Sequence, residues 1–331
     1  MDKKIIFLVI AALVLGGGLF FKTKKNEIKD LKETPDYETL AKTVQIEIIS
    51  SNDKIILLRN KDKWTVKNRF DFQADFSEIN ELIKELKNMN FLHSFKADKE
   101  SLEKLSLLNP EKNKNKSGTL ICLKDKNGKT LFSIIAGKKR EKGGQYIKIP
   151  GKDEIFISAS QIYLDLSPAF WIKKQALDIK KDDISEITLL SEKNKKIYQI
   201  KKDNKIKYKI IYPDKKDLSP DKNKIDSLFS SLSGLEIKDI ISPVEKNQFS
   251  YKFIFKTQHK DIITIFIENK DKGRIYFNIK NNDKNKKTFI SAMMENFILE
   301  IPVWKFEKFI IDPEKLYIQK KNNFCKNYES R

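Results

Sequence analysis

Two cysteines, two histidines and five arginines among 331 residues leave little material for several kinds of chemistry. Cys122 lies in a strand pattern and Cys325 in a polar tail, with no Cys-x-x-Cys between them. Neither a zinc knuckle nor a redox pair is encoded. His93 and His259 are far apart, and no His-Glu-x-x-His or Gly-x-Ser-x-Gly run accompanies them. Those absences remove the familiar metalloprotease and serine-hydrolase arrangements. Ala136-Gly137-Lys138-Lys139 has the Gly-Lys step of a phosphate loop, but it lacks the upstream Gly and the hydroxyl residue after Lys. The acidic residues follow no calcium-loop spacing. No cofactor, metal or catalytic residue is expected.

The scarcity of arginine also bears on the formal charge of +20. Arg59, Arg69, Arg140, Arg274 and Arg331 are outnumbered by Lys throughout. Reading of bases and phosphates favours the planar Arg fork. The Lys residues alternate with Asp and Glu rather than forming one stripe, so the sequence argues for a solvated surface and against nucleic acid. Attraction to an anionic membrane is the other use for such charge.

One long apolar run is present. Residues Ile5–Phe21 carry no charge and are flanked by Lys3, Lys4, Lys22, Lys24 and Lys25. A helix over this run falls slightly short of a hydrocarbon core of about 30 Å, and snorkelling Lys side chains cover the difference. The bulky Leu19-Phe20-Phe21 exit lacks a small-residue cleavage site, so a single uncleaved transmembrane anchor is expected at residues 5–21. The Lys balance alone would keep the rest of the chain in the cytoplasm. A short tail before a large soluble region follows the signal-anchor plan, which places that region outside the membrane, and that orientation is expected. Residues 26–41 read as a polar stalk.

Beyond the stalk the sequence repeats. The helical set Ile79, Leu82, Ile83, Leu86 returns as Ile225, Leu228, Phe229, Leu232. Phe156-Ile157-Ser158-Ala159 returns as Phe289-Ile290-Ser291-Ala292, and Pro168 and Trp171 are echoed by Pro302 and Trp304. A repeat this long is a folded module used twice. The interval is shorter for the strand echo than for the helix echo. The second copy is therefore expected to lack residues where the first carries Leu107-Leu108-Asn109-Pro110 and its polar loop.

Period-two alternation predicts strands at Val44–Ile48, Ile55–Leu58 and Trp64–Val66, then a helix capped by Asp75. A strand at Phe91–Phe95 and a helix at Asp98–Leu107 follow. Strands are next expected at Thr119–Lys124, Lys129–Ala136, Tyr146–Ile149 and Ile155–Ser158, with a closing helix at Ser160–Leu166. The second module opens at Ile184 with three strands and a helix whose cap is read as Ser219, with Pro220 at its first position and Gly234 as its stop. Strands at Leu235–Ile241, Ser250–Lys256, Asp261–Glu268 and Arg274–Lys280 complete it. The expected fold class is α+β: a transmembrane helix, then two tandem antiparallel sheet-plus-helix modules at 42–180 and 181–312, and a polar tail at 313–331.

Several of these residues carry a family resemblance. Trp64-Thr65 before the Asp75 helix, Leu107-Leu108-Asn109-Pro110, Ile135-Ala136-Gly137-Lys138, Gly144-Gln145-Tyr146-Ile147 and Ile155-Phe156-Ile157-Ser158 together resemble the bacterial domain of unknown function 4340 family. That family often has Gly where this chain has Ser106. The resemblance implies one N-terminal span, repeated domains and genes beside ABC-2-type exporters of the gliding-motility kind. It implies an extracytoplasmic accessory of a transporter or envelope system, with integral transporter-type proteins as partners, and it supplies no active-site residues.

The expected contact surface is the first module's insert and hairpins, because the second module lacks part of it and loops carry function more often than cores. Its candidate residues are Leu107, Asn109, Pro110, Gly137, Gly143, Gly144 and Tyr146. Two rival readings stand beside the accessory one. A polyanion binder would use Lys to hold cell-wall polymer, lipid headgroup or nucleic acid, and a hydrolase would need a pocket of converging titratable groups.

Overall fold

A computed structural model describes residues 33–96, 98–203, 207–244, 249–269, 273–280 and 294–318. The expected anchor at residues 5–21 lies outside them. No helix among the described residues is long and apolar enough to cross a membrane.

The α+β expectation is overturned. Among the described residues strands hold 43% and helices 19%. The molecule is two large antiparallel sheets with short helices laid on them. The reason is the period of the apolar residues. Stretches such as Gln45–Ile49 and Ile262–Asn269 put β-branched residues on a pleated surface where they pack well. Only one helix among the described residues reaches three turns.

The first sheet is built from β1 (Gln45–Ile49), β2 (Lys54–Asn60), β3 (Lys63–Val66), β4 (Phe72–Gln73), β5 (Phe91–Lys96), β6 (Thr119–Lys124), β7 (Thr130–Lys139), β8 (Gln145–Lys148) and β9 (Glu154–Ser158). Its strand order is β4-β3-β2-β1-β6-β7-β8-β9-β5. After a short strand β10 (Gln175–Leu177), the second sheet uses β11 (Ile184–Ser191), β12 (Lys196–Asp203), β13 (Lys207–Tyr212), β15 (Asp239–Pro243), β16 (Tyr251–Thr257), β17 (Ile262–Asn269), β18 (Arg274–Lys280) and β19 (Phe297–Glu300). Its order is β13-β12-β11-β16-β17-β18-β19-β15. Strand for strand the two orders are the same, except that no described strand of the second sheet takes the place of β4.

Helix α1 (Tyr37–Lys42) precedes the first sheet, inside the segment read as a stalk. Glu33 just before it is buried and pairs with Lys152, so the end of that segment packs on the first module. Helix α2 (Phe76–Lys87) turns Ile79, Leu82 and Leu86 onto the inner sheet face, where Ile46, Ile48, Leu57, Ile121 and Ile134 are fully enclosed. Helix α3 (Lys99–Lys104) covers the outer face. In the second module α4 (Lys222–Phe229) occupies the place of α2, burying Ile225, Leu228 and Phe229 on Ile187, Leu189, Phe253 and Phe255.

The α2 cap is Asp75, whose carboxylate accepts from Ser77 N. The α4 cap is Asp221, accepting from Asn223 N and Lys224 N, and not Ser219. Pro220 instead forms an isolated bridge with Tyr317. The expected helix at Ser160–Leu166 is not formed, and these residues have no regular secondary structure. Its amides are satisfied elsewhere: Ile162 N–H donates to Gln145 Oε1 and Tyr163 N–H to Glu85 Oε2.

Two of the sequence echoes also align differently. Asp75 N–H donates to Trp171 O at 2.7 Å, and Asp221 N–H donates to Leu316 O at 2.8 Å. Ala74 bridges Ile172 as Pro220 bridges Tyr317. The counterpart of Trp171-Ile172 is thus Leu316-Tyr317, and the turn Pro168–Phe170 matches Pro313–Leu316. These residues belong to the second core, although the sequence placed them in the tail. The strand in the place of β9 is β19, and Phe289–Ala292 lie outside the described residues.

The two sheets share one contiguous set of buried side chains. Arg69 holds Asp239 with two hydrogen bonds, Nε to Oδ1 at 2.5 Å and Nη2 to Oδ2 at 2.9 Å. The Phe297 ring packs against Phe70 and Phe72. The connecting segment is tied down as well: β10 pairs with β14 (Leu235–Glu236), and Asp178 accepts from Gly234 N.

Candidate partner-binding surfaces

The first region is the insert that sequence singled out. Helix α3 is capped by Asp98, which accepts from Ser101 N. Leu102 and Leu105 then pack with Leu107 on Ile49, Leu120, Cys122, Ile135 and Ile155, a small second core on the outer sheet face. Burial pushes the Cys122 thiol up to about 11, so it stays protonated and unreactive at neutral pH.

Leu107, Gly137 and Tyr146 meet around this core. Leu107 is 2% exposed. A side chain at Gly137 would strike Leu107 and the Leu105 carbonyl. Tyr146 packs on the cluster, with the Arg140 guanidinium 5.9 Å from its ring. Asn109 organises the following loop, its side chain accepting from Glu111 N and its carbonyl from Lys112 N and Asn113 N. Pro110 is buried. Gly143 and Gly144 form the β7–β8 turn. Gly143 is open to solvent, while Gly144 sits against the Ser158 carbonyl with positive φ. Most of these side chains are therefore packed inward. The polar parts left outside are Asn109, the loop after it and the Arg140–Gly143 turn.

The second region was not read from sequence. Trp304 on α5 (Val303–Phe306) is 58% exposed, whereas Trp171 is 1% exposed. The Lys305 and Lys308 ammonium groups stand 5.6 Å and 5.2 Å from its ring. Beside it a cleft of about 400 Å³ is lined by Lys224, Ser227, Glu307, Lys308, Ile310, Ile311, Asp312 and Lys315. An aromatic face with nearby cations suits a ligand that has a flat or ring face and negative charge. Sequence paired Trp304 with buried Trp171. Both have charged neighbours, Lys173 and Lys174 for one and Lys305, Glu307 and Lys308 for the other, so no local signal told them apart.

Each sheet also buries one carboxylate on its outer face. Glu47 receives Lys54, Lys124 and Gln45, and Glu186 receives Lys201, Lys256 and Gln199. Burial pushes both carboxyls up, but the paired Lys hydrogen bonds and charges outweigh it and hold both below the usual range. These groups are neutralised in place and serve the sheets. Among the described residues no cluster of three or more His, Cys, Asp or Glu could hold a metal ion.

No curated protein matches this chain. The sequence profile of one family does, over residues 64–252. The match runs from β3 through the first sheet and its insert, across the connecting segment, to β16 of the second sheet. Because it covers more than half of the sequence, the chain belongs to the family described as domain of unknown function (DUF4340).

Proposed function

We propose that this chain is a non-catalytic accessory protein of a bacterial envelope. In this reading residues 5–21 hold it at the inner membrane, and both sheets stand on the extracytoplasmic side. It binds integral transporter-type proteins, of the ABC kind, and serves as a platform for them. One observation supports the reading best. The two sheets are joined through a shared core, the Arg69–Asp239 pair and the Phe297 contacts. Such a body presents surfaces on both sheets at a fixed spacing, which suits holding partners better than two modules on a loose linker. Crosslinking in native membranes tests it. The expected product joins this chain to an integral transporter subunit, and spheroplast protease is expected to reach the chain beyond Lys22. Protection of the whole chain in intact spheroplasts overturns the topology, and repeated absence of membrane-protein products overturns the platform role.

A second reading is favoured by the Trp304 cleft. Its aromatic face and Lys224, Lys308 and Lys315 suit a polyanion such as cell-wall polymer. Binding of that kind weakens steeply with salt. Retained binding in about 0.3 M salt separates specific protein contact from it.

A further inference from the structure

The edge that β4 closes in the first sheet has no covering strand among the described residues of the second. In the first sheet Thr65 and Val66 of β3 pair outward with Gln73 and Phe72 of β4. No described residue pairs with the outer side of β13, the last strand in its sheet. Its burial pattern fits an edge in solvent: Lys207, Lys209, Ile211 and Tyr212 are exposed.

The side chains beside the two edges differ in charge. One cross-sheet row in the first module reads Gln73, Thr65, Leu58, Gln45, Lys124. The same row in the second reads open edge, Lys209, Lys201, Glu186, Lys256. The first row holds a single charge, and the second holds three cations around one buried carboxylate. Glu186 already contacts Lys201 and Lys256. Among the described residues no ion pair reaches Lys209, which lies directly across from Lys201. Like charges in that position are unfavourable unless something negative arrives beside them.

An unpaired edge also carries unused backbone donors and acceptors. Lys on such an edge repels apolar and basic strands, and it opposes a second copy in registers that set Lys209 against itself. It does not repel a strand bearing carboxylates. We infer that β13 is a docking edge for an extended acidic segment of a partner protein, which adds as an antiparallel or parallel strand and places alternate Asp or Glu side chains beside Lys209 and Lys207. Main-chain hydrogen bonds supply the attachment and the Lys row supplies the selectivity. The inference rests on the accessory reading only in taking the partner to be a protein.

The test uses the full chain in detergent micelles and short labelled peptides followed by fluorescence anisotropy. A peptide alternating Glu and Val is expected to bind. The same peptide with Lys for Glu is expected not to. Methylating alternate backbone nitrogens keeps the charge but removes donors, and it is expected to weaken binding by roughly tenfold or more. Lys209→Glu, at an exposed position that leaves the core intact, is expected to invert the preference between acidic and basic peptides. In the unmodified chain, bound peptide is expected to slow amide exchange in β13 and not in β3. Equal binding of the methylated peptide overturns strand addition in favour of simple polyanion attraction. An unchanged preference in Lys209→Glu overturns the role of the row. Concentration-dependent dimers that protect β13 assign the edge to a second copy and also overturn the inference. If peptides fail while native crosslinking still yields transporter subunits, this surface is wrong and the accessory reading stands.

Discussion

The two modules share a strand order and differ in what covers the strands. The first closes its β3 edge with β4 and lays α3 over part of its outer face. The second has neither cover among the described residues. Between β5 and β6 the first module runs through residues 97–118, whereas only 244–250 separate β15 from β16. The difference teaches that the common plan lies in the sheet, the helix on its inner face and the strap that returns beneath the helix cap. The covers are additions, and their absence exposes backbone and charge in one copy that the other copy hides.

The sharpest way to break this comparison is to empty both cores. Leu82 and Leu228 occupy matching places on α2 and α4 and are almost fully buried. Leu82→Ala and Leu228→Ala are each expected to cost about 2–5 kcal/mol in denaturant unfolding. Because the two cores are contiguous, calorimetry is expected to show one transition that either substitution lowers. Two transitions, each moved by one substitution alone, would separate the modules.

Next in size is the link between them. Arg69→Ala removes a two-bond ion pair in which both side chains are about one-fifth to one-quarter exposed. It is expected to cost about 1.5–3 kcal/mol, read as a shift in the denaturation midpoint. Asp239→Ala should cost a similar amount, and adding it to Arg69→Ala should cost little more.

A matching pair of glycines tests whether the plan extends to turns. Gly144 enters β8 at φ +81 and Gly273 enters β18 at φ +64. A Cβ at Gly144 would lie 2.1 Å from the Ser158 carbonyl oxygen, and one at Gly273 would lie 2.4 Å from that of Ile301. Each Gly→Ala change is expected to destabilise by about 1–3 kcal/mol, in near equal measure. A neutral outcome at either one breaks the equivalence.

The helix caps are expected to contribute less. Asp75→Ala and Asp221→Ala should each cost about 1 kcal/mol by thermal denaturation, while Ser219→Ala should cost little. The smallest effect concerns pH. Glu47 and Glu186 are held below the usual carboxylate range. Their stabilisation is full above the unfolded carboxylate value and is lost as pH falls through the lower folded value. Melting temperatures are expected to drop in acid, and Glu47→Gln or Glu186→Gln should flatten that drop.

Much of the sheet content was legible because alternation is local. The runs at Ile46–Ile48, Ile121–Leu123 and Ile263–Ile267 state their own period. Asp75 was legible as a cap for the same reason. Asp221 was missed because Ser219-Pro220 imitates a cap, although the helix echo that relates Leu82 to Leu228 carries Asp75 onto Asp221. The Trp171 and Trp304 echo misled because a short match ignores surroundings, and only pairing across the sheet shows that Leu316-Tyr317 fills the place of Trp171-Ile172. The proposed contact residues were chosen as loop residues, but Leu107 and Gly144 answer to packing partners far away in sequence. The Arg69–Asp239 pair and the bare edge of β13 depend on topology, which no local pattern states.

The central claim is one sheet plan used twice, with one edge left uncovered by any described residue. Amide hydrogen exchange on the full chain tests it most directly. Central strands β1 and β11 are predicted to exchange slowly and alike, while β13 exchanges markedly faster than β3. Equal protection of β13 and β3 would mean that the second edge is covered after all, and would contradict the account.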